Sequence, residues 1–312
     1  MAPEMDSTGT DTTAARPRFG AVLTAMVTPF TADGEIDLNG AQKLARHLVE
    51  NGNDGIVVAG TTGESPTITY DEQRDLIMAV REAVPDASLV AGGGSNSTAT
   101  AIVNTKMATQ AGADGILAVC PYYNRPSQEG LFQHFTASAA ATDLPVIVYD
   151  VPGRTGRKIA SETIARLAAE VDNVVALKDA AGDPSETARL TTMVDESFEI
   201  YSGDDSLTLP FLSVGAVGVV GVATHYVGRL MADMIAAFKA GDVSRAADLN
   251  RQMMPAFGHF AYDDAPSPVP TKAMMNILGV SVGDCRLPMG PAPDDIDQRC
   301  RAVLTALGKD VS

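Results

Sequence analysis

The chain has 312 residues, with 23 Lys and Arg against 39 Asp and Glu, and its formal net charge is −16. Its composition, 45% hydrophobic and 20% charged, is that of a globular protein and excludes collagen-like, disordered and disulfide-rich classes. The acidic balance argues against nucleic acid or an anionic membrane as a partner, because both attract Lys and Arg. Three widely spaced cysteines favour a reducing compartment, and we expect a cytoplasmic protein.

The N-terminal segment, residues 1–17, is polar and rich in Ser and Thr. It has no apolar stretch long enough for the core of a signal peptide, and no run elsewhere in the sequence is long enough to span a membrane. We therefore expect a flexible N-terminal arm and no membrane segment.

Short β-branched apolar runs alternate with Ala-rich segments of helical character, and their centres recur every 19 to 34 residues. Continuous apolar runs are typical of parallel strands that are buried on both faces. Eight such units predict an α/β fold, a (β/α)8 TIM barrel, with an open doubly wound sheet as the alternative. The eight runs are AVLTAMV, GIVVAG, SLVAG, DGILAV, PVIVYD, NVVALKD, EIYSG and GVVGVA.

After the eighth run the pattern changes to consecutive helical segments with no strand between them. We therefore predict a barrel domain over residues 18–242 and a C-terminal helical appendage over residues 243–312. This appendage is expected to pack on the barrel or on a partner subunit.

In such a barrel the active site lies at the C-terminal ends of the strands, so the residues that follow each run are the candidates. Strand two is followed by GTTGES, and strand four by CPYYNRPSQEG. Strand five ends in Tyr149 and continues as DVPGRTG, strand six ends in Lys178, and strand seven ends in YSGDD. These five segments are expected to meet at one mouth.

Lys178 is the strongest candidate, because among the seven lysines it alone ends a strand. The other six, Lys272 among them, lie in helical or loop segments where a solvated ammonium group is expected. Burial lowers the pKa of a lysine and makes its amine nucleophilic, as Schiff-base chemistry with a carbonyl substrate requires. The alternative is a structural ion pair with Asp179, Asp204 or Asp205.

Three further groups are expected near Lys178. Tyr149 ends the neighbouring strand and is able to move protons if its pKa is lowered, although a core tyrosine is the alternative. Arg154, in the next loop, offers a guanidinium for a carboxylate, but exposed loop arginines are common. The GTTGES turn offers two hydroxyls, with closely spaced amides at the start of the following helical segment, and these suit a carboxylate.

Metal and hydrolase chemistry are disfavoured by the residues present. The four histidines are far apart without HxH or HExxH spacing, and no Ser lies in GxSxG. We expect neither a metal nor an organic cofactor.

Five motifs, GTTGES, PYYNRPSQEG, VYDVPGRTG, LKDAAGD and YSGDD, together resemble the dihydrodipicolinate (4-hydroxy-tetrahydrodipicolinate) synthases. These belong to the class I pyruvate-dependent aldolases, and the resemblance covers residues 18–307. It implies the condensation of pyruvate with L-aspartate 4-semialdehyde in the diaminopimelate and lysine pathway, without a cofactor. It also implies a homotetramer built from two tight dimers.

The resemblance further implies the catalytic residues. Lys178 would form the imine with pyruvate, and Tyr149 would donate and accept protons. Thr61 would link Tyr149 to Tyr123, which in this family reaches into the site of the neighbouring subunit.

The same resemblance implies four residues that bind substrate. Thr62 and the main chain of Val220 would hold the pyruvate carboxylate. Arg154 would bind the carboxylate of the semialdehyde, and Gly203 would line that pocket.

Some relatives are inhibited by lysine, which they bind with two histidines and a glutamate. Tyr70, Gln73 and Thr100 stand at those positions here, whereas Asn96, Ser65 and Tyr122 match the relatives. A cationic ligand thereby loses its carboxylate partner, and we predict weak or absent inhibition by lysine.

Two other functions remain open at this point. One is a related aldolase that acts on a sugar acid, of the N-acetylneuraminate or 2-keto-3-deoxygluconate type. The other is a non-catalytic barrel that binds a keto acid.

Overall fold

The computed structural model describes residues 16–309 as a closed barrel of eight parallel strands that follow one another in sequence order. The last strand, β8, pairs with the first, so the predicted barrel is confirmed and the open-sheet alternative is wrong. Each predicted apolar run contains one strand. The strands are β1 (Val22–Ala25), β2 (Gly55–Val58), β3 (Ser88–Gly92), β4 (Gly115–Val119), β5 (Val146–Asp150), β6 (Val174–Asp179), β7 (Glu199–Ser202) and β8 (Gly218–Gly221).

Helices surround the barrel, and the longer ones bury apolar residues against it. In the first of them the apolar residues recur at helical spacing, so that Ala41, Leu44 and Leu48 are fully buried against the barrel. The helices are α1 (Leu38–Glu50), α2 (Tyr70–Ala83), α3 (Thr98–Gln110), α4 (Gln128–Ala139), α5 (Pro152–Thr155), α6 (Ser161–Glu170), α7 (Pro184–Thr191), α8 (Thr208–Leu212), α9 (Thr224–Lys239), α10 (Val243–Gly258), α11 (Val269–Ile277) and α12 (Ile296–Ala306).

The inside of the barrel is filled by side chains, so it is a packed core and not a channel. Leu23, Val57, Val90, Ile147 and Val220 are each fully buried there. Because side chains alternate along a strand, this layer sets the floor on which the groups at the strand ends stand.

The C-terminal helices α10 to α12 pack on the barrel. Residues of α10, α11 and α12 share one buried core with α9 and with the outer faces of β1 and β8. Met253, Met274 and Leu304 are fully buried in this core. This shared core holds the C-terminal helices in a fixed position relative to the barrel.

Two predictions concern the N-terminal arm and membrane segments. Most of the predicted arm, residues 1–15, lies outside the described residues, while Arg16 forms an ion pair of 3.1 Å with Asp54. Among residues 16–309, no helix has both the length and the apolar character needed to cross a membrane.

Candidate active site

Lys178 and Tyr149 lie side by side at the C-terminal ends of β6 and β5. Their Cα atoms are direct partners in the ladder between the two strands. The ammonium nitrogen of Lys178 lies 4.3 Å from the centroid of the Tyr149 ring, and the two side chains are 4% and 5% exposed. The structure thus brings the two residues together at the mouth, where the sequence predicted them.

Burial changes the proton affinity of the lysine. It lowers the pKa of Lys178 to about 8, with a smaller lowering from Arg154, while the charge of Asp205 acts in the opposite direction. Within the described part of the chain, Lys178 makes no ion pair within 4 Å, and Asp179 instead accepts hydrogen bonds from Thr187 and Ala181. The structural ion pair is therefore not the role of Lys178, and its amine is available as a nucleophile.

Burial also changes the proton affinity of the Tyr149 phenol. Burial raises the pKa of Tyr149 to about 12, although Arg154 and the side chain of Thr61 lower it in part. The condition set for this residue, a lowered pKa, is therefore not met, because the ring is enclosed and its ionised form would be poorly solvated. At neutral pH the phenol therefore carries its proton.

The GTTGES turn connects β2 to a short 3-10 helix at Ser65–Thr67, and its Thr61 side chain contacts Tyr149. Thr61 lines a cavity together with Tyr149, and Thr62 is buried. The next α-helix, α2, begins only at Tyr70. Thr69 and Glu72 form a capping box at its N-terminus, in which the side chain of each accepts a hydrogen bond from the backbone amide of the other. The amides expected at a helix start are thus those of the turn itself and not those of an α-helix.

A cavity of about 220 Å³ opens beside Tyr149, at the place expected for the acceptor pocket, which is the pocket for the semialdehyde. Arg154 and Gly203 both line it. The guanidinium of Arg154 makes no hydrogen bond or ion pair with residues 16–309, so it is free to bind a carboxylate. A side chain at position 203 would place its Cβ 2.7 Å from that of Ala180, which explains the glycine.

Three residues of this cavity were not singled out as binding residues by the sequence. Phe257 and Phe260 come from the end of α10 and the loop after it, which the C-terminal appendage brings over the mouth. Asp205 is buried, and one of its oxygens accepts hydrogen bonds from the amides of Val222 and Ala223 at 2.8 and 3.2 Å. Burial raises the pKa of Asp205. Only the YSGDD motif pointed towards it.

Val220 lies in β8, where its backbone pairs with Leu23 of β1 and its side chain is buried in the barrel. It belongs to the same interior layer as Tyr149. Its main chain therefore belongs to the barrel layer on which the mouth stands.

A second cavity, of about 300 Å³, lies on the other side of Tyr149 and Thr61. It contains the positions that the lysine prediction depends on. Tyr70, Gln73 and Thr100 line it, and the side-chain amide of Gln73 donates to the carbonyl of Gly92. No Asp or Glu is among its lining residues.

Tyr123 is not brought to the other site residues within this chain. It is 90% exposed, has a φ of +73°, and lines neither cavity. A tyrosine rarely adopts such a backbone conformation, and residues of this kind gather at functional sites. The ring therefore points away from the barrel that carries it.

Two further findings concern charged and metal-binding groups. Lys272 is 2% exposed, so the prediction that it is solvated is wrong: the C-terminal segment encloses it, and it pairs with Glu64. Within residues 16–309, no group of three or more His, Cys, Asp or Glu side chains is arranged to hold a metal ion.

Comparison with known proteins gives one consistent result. Residues 18–307 match the Dihydrodipicolinate synthetase family. A 4-hydroxy-tetrahydrodipicolinate synthase from Synechococcus elongatus is 51% identical, over 93% of this chain and 97% of that protein.

Solved structures agree with the sequence match. The synthase from Cyanidioschyzon merolae, determined with lysine bound, superposes with a TM-score of 0.91 at 43% identity, covering 94% of this chain and 99% of the other. A monomeric dihydrodipicolinate synthase variant superposes with a TM-score of 0.89 at 37% identity, covering 92% and 96% of the two chains. The chain belongs to the dihydrodipicolinate synthase family.

Proposed function

We propose that this protein is a 4-hydroxy-tetrahydrodipicolinate synthase, a Schiff-base-forming lyase that condenses pyruvate with L-aspartate 4-semialdehyde. The observation that carries the proposal is Lys178, a buried amine with a pKa of about 8 that makes no ion pair within 4 Å with described residues. The names of its relatives support the same reaction.

The first step joins pyruvate to the enzyme. The neutral amine of Lys178 attacks the keto carbon of pyruvate, and a carbinolamine forms. Loss of water gives the imine, and the phenol of Tyr149 is the group that protonates the departing hydroxyl. The hydroxyls and amides of Thr61 and Thr62, with the main chain of Val220, hold the carboxylate.

The second step forms the carbon–carbon bond. The imine gives a proton from its methyl carbon to the Tyr149 phenolate that the first step left, and it becomes an enamine, which attacks the aldehyde carbon of the semialdehyde. Arg154 holds the carboxylate of this second substrate in the pocket that Gly203 lines. The new alkoxide takes a proton relayed by Tyr149.

The last step frees the lysine. The amine of the condensed substrate attacks the imine carbon, and the bond to Lys178 breaks. The lysine leaves as an amine, and the product closes into a ring. All atoms are thereby accounted for with one water released, and no metal or organic cofactor takes part.

We further propose a homotetramer made of two tight dimers, in which Tyr123 completes the site of the neighbouring subunit. Its 90% exposure and strained backbone support this role. Mixing two inactive variants, Lys178→Ala and Tyr123→Phe, tests it. Random mixed dimers contain one intact site, and about a quarter of the wild-type activity should return. No recovery after subunit exchange would contradict the proposal.

The remaining expectations stay proposals. We propose that the barrel ends at residue 242 and that the helical appendage begins at residue 243. We also propose a flexible arm over residues 1–17. A cytoplasmic location is supported by the three cysteines, all of which are free thiols.

The decisive experiment is reduction with borohydride in the presence of pyruvate, followed by peptide mass spectrometry. The adduct should be found on Lys178, and the variant Lys178→Met should carry none. An adduct on another lysine, or none in the wild-type protein, would contradict the mechanism. A comparison of steady-state rates with the semialdehyde, N-acetylneuraminate and 2-keto-3-deoxygluconate then identifies the substrate, and faster turnover of a sugar acid would favour the alternative aldolase.

A further inference from the structure

The chain has a second buried lysine, and its partner lies in the GTTGES turn. Lys272, in α11, forms an ion pair of 2.7 Å with Glu64, and the two side chains are 2% and 1% exposed. Neither residue lines either of the two cavities around Tyr149. The pair therefore lies behind the turn and not in the substrate pocket.

Both members of the pair are further held by the segment that follows α11. The second carboxylate oxygen of Glu64 accepts a hydrogen bond of 2.9 Å from the backbone amide of Arg286. The ammonium group of Lys272 also donates to the carbonyl of Asp284 at 2.9 Å, and it lies 4.1 Å from the centroid of the Phe30 ring. The C-terminal segment thus surrounds the glutamate on two sides.

The backbone is strained on either side of the two threonines of the turn. Ala59 and Glu64 have φ values of +52° and +58°, a region that residues with a side chain rarely adopt. Such conformations persist only where the surrounding structure enforces them. Thr61 and Thr62 lie between these two residues, so whatever fixes Glu64 also fixes the two threonines.

Local hydrogen bonds pass the constraint from Glu64 to the threonines. The amide of Glu64 donates to the carbonyl of Thr61 at 3.1 Å, and the carbonyl of Glu64 accepts from the amide of Thr67 at 2.9 Å. The carbonyl of Gly63 accepts from the hydroxyl of Thr28 at 2.6 Å. The side chain of Glu64 is the one group of the turn that reaches the appendage through an ion pair among the described residues.

We propose that Glu64 and Lys272 are positioning residues for pyruvate, because their buried ion pair keeps the GTTGES turn in the shape that binds the substrate carboxylate. The C-terminal appendage would then have a direct part in the first half of the reaction. This inference rests on the proposed function, since it needs the pyruvate carboxylate to lie at Thr61 and Thr62.

The chemistry of a buried pair makes the proposal testable. Removal of one partner leaves the other charge buried and uncompensated, which drives a local rearrangement. The turn would lose its left-handed conformation at Glu64, while Lys178 and Tyr149 stand on other strands and Arg154 stands in α5. The expected loss is therefore in the binding of pyruvate and not in the binding of the semialdehyde.

The variants are Glu64→Gln, Lys272→Met and the double variant. Glu64→Gln keeps the size of the side chain and an acceptor for the amide of Arg286. The control is Arg299→Met, which removes a paired ion contact of 2.7 Å with Asp264 in the same C-terminal region. The readout is the pyruvate concentration that gives half of the maximal borohydride adduct on Lys178, which requires no aldehyde. The KM for the semialdehyde and circular dichroism are measured alongside.

Both single variants should raise the half-saturating pyruvate concentration by about tenfold or more, with the KM for the semialdehyde within about threefold of wild type. The double variant should raise the half-saturating pyruvate concentration no more than either single variant does, because the pair acts as a unit. Unchanged pyruvate dependence in folded variants, an equal rise in Arg299→Met, or unfolding of both single variants would overturn the proposal. Absence of the adduct in the wild-type protein would instead overturn the proposed function itself.

Discussion

The ammonium nitrogen of Lys178 lies 4.3 Å from the centroid of the Tyr149 ring, and the two residues are direct partners on adjacent strands. Burial moves their pKa values in opposite directions, to about 8 for the lysine and to about 12 for the tyrosine. At a given pH, a larger fraction of each group is therefore uncharged in the protein than would be in water. Such a divergence supports the proposed roles, with the amine as the nucleophile and the phenol as the proton donor.

The rate of imine formation should follow the titration of Lys178. With a pKa of about 8, about one amine in ten is neutral at pH 7, against fewer than about one in a thousand for an ordinary lysine. Measured as borohydride trapping at low pyruvate, the rate should rise with pH and level off above an apparent pKa near 8. A rate that still rises steeply above pH 10 would show that the lysine is not perturbed.

Replacing Lys178 with Met should abolish turnover and stabilise the fold. The folded pKa of about 8 is lower than the unfolded one of about 10.5, so below pH 8 both states bind the proton and the native state carries the full penalty. That penalty is up to about 3 kcal/mol and declines as the pH rises from 8 to 10.5. Urea unfolding at pH 7 should show the variant to be more stable than the wild type, and a less stable variant would contradict this account.

Replacing Tyr149 with Phe removes the proton donor and keeps the ring under the ammonium group. Turnover should fall about 10²- to 10⁴-fold, which is the usual contribution of a positioned acid or base. The variant should remain folded, because the ring that contacts Lys178 is retained. Steady-state rates and circular dichroism test this, and turnover within threefold of the wild type would show that another group moves the proton.

Replacing Arg154 with Ala should impair the use of the semialdehyde more than the formation of the pyruvate imine. The loss of a charged hydrogen bond predicts a fall of about 10- to 100-fold in kcat/KM for the semialdehyde. Because Arg154 also lowers the pKa of Lys178, the apparent pKa of imine formation should rise. Arg166→Ala is the control, since that arginine is paired with Glu129 and Glu170. Equal loss of imine formation in Arg154→Ala would contradict the assigned role.

Lysine should inhibit weakly or not at all. The cavity of about 300 Å³ beside Tyr149 offers no carboxylate to a cationic amine, and Gln73 already donates to the carbonyl of Gly92. A titration of activity with lysine tests this, and strong inhibition below 1 mM would contradict it. The variant Thr100→Glu places a carboxylate at the lining of the cavity and should make the enzyme more sensitive to lysine.

The sequence predicted those parts of the site that depend on the barrel alone. Lys178 and Tyr149 each end a strand, and the barrel brings strand ends to one mouth, so their meeting follows from the pattern of apolar runs. Arg154 was found for the same reason, whereas Gly203 was named only through the family resemblance. Arg154 lies in the short helix α5 directly after β5, and Gly203 directly follows β7, so both are held near the strand ends.

The parts that escaped prediction depend on contacts between distant segments. Lys272 lies in a helix, as solvated lysines do, and only the packing of the appendage over the turn encloses it. The raised pKa of Tyr149 was not foreseen, because a local pattern does not show how completely a ring at a strand end is covered. Phe257 and Phe260 reach the mouth because the C-terminal helices share a core with the outer faces of β1 and β8.

Tyr149 is a wall common to the two cavities, one of which holds the acceptor pocket. A small neutral compound that fills the larger cavity would therefore contact Tyr149 and Thr61 without entering the pocket that Arg154 and Gly203 line. Such a compound would inhibit without competing with the semialdehyde. Because linkage is reciprocal, its affinity would also change when pyruvate is bound to Lys178.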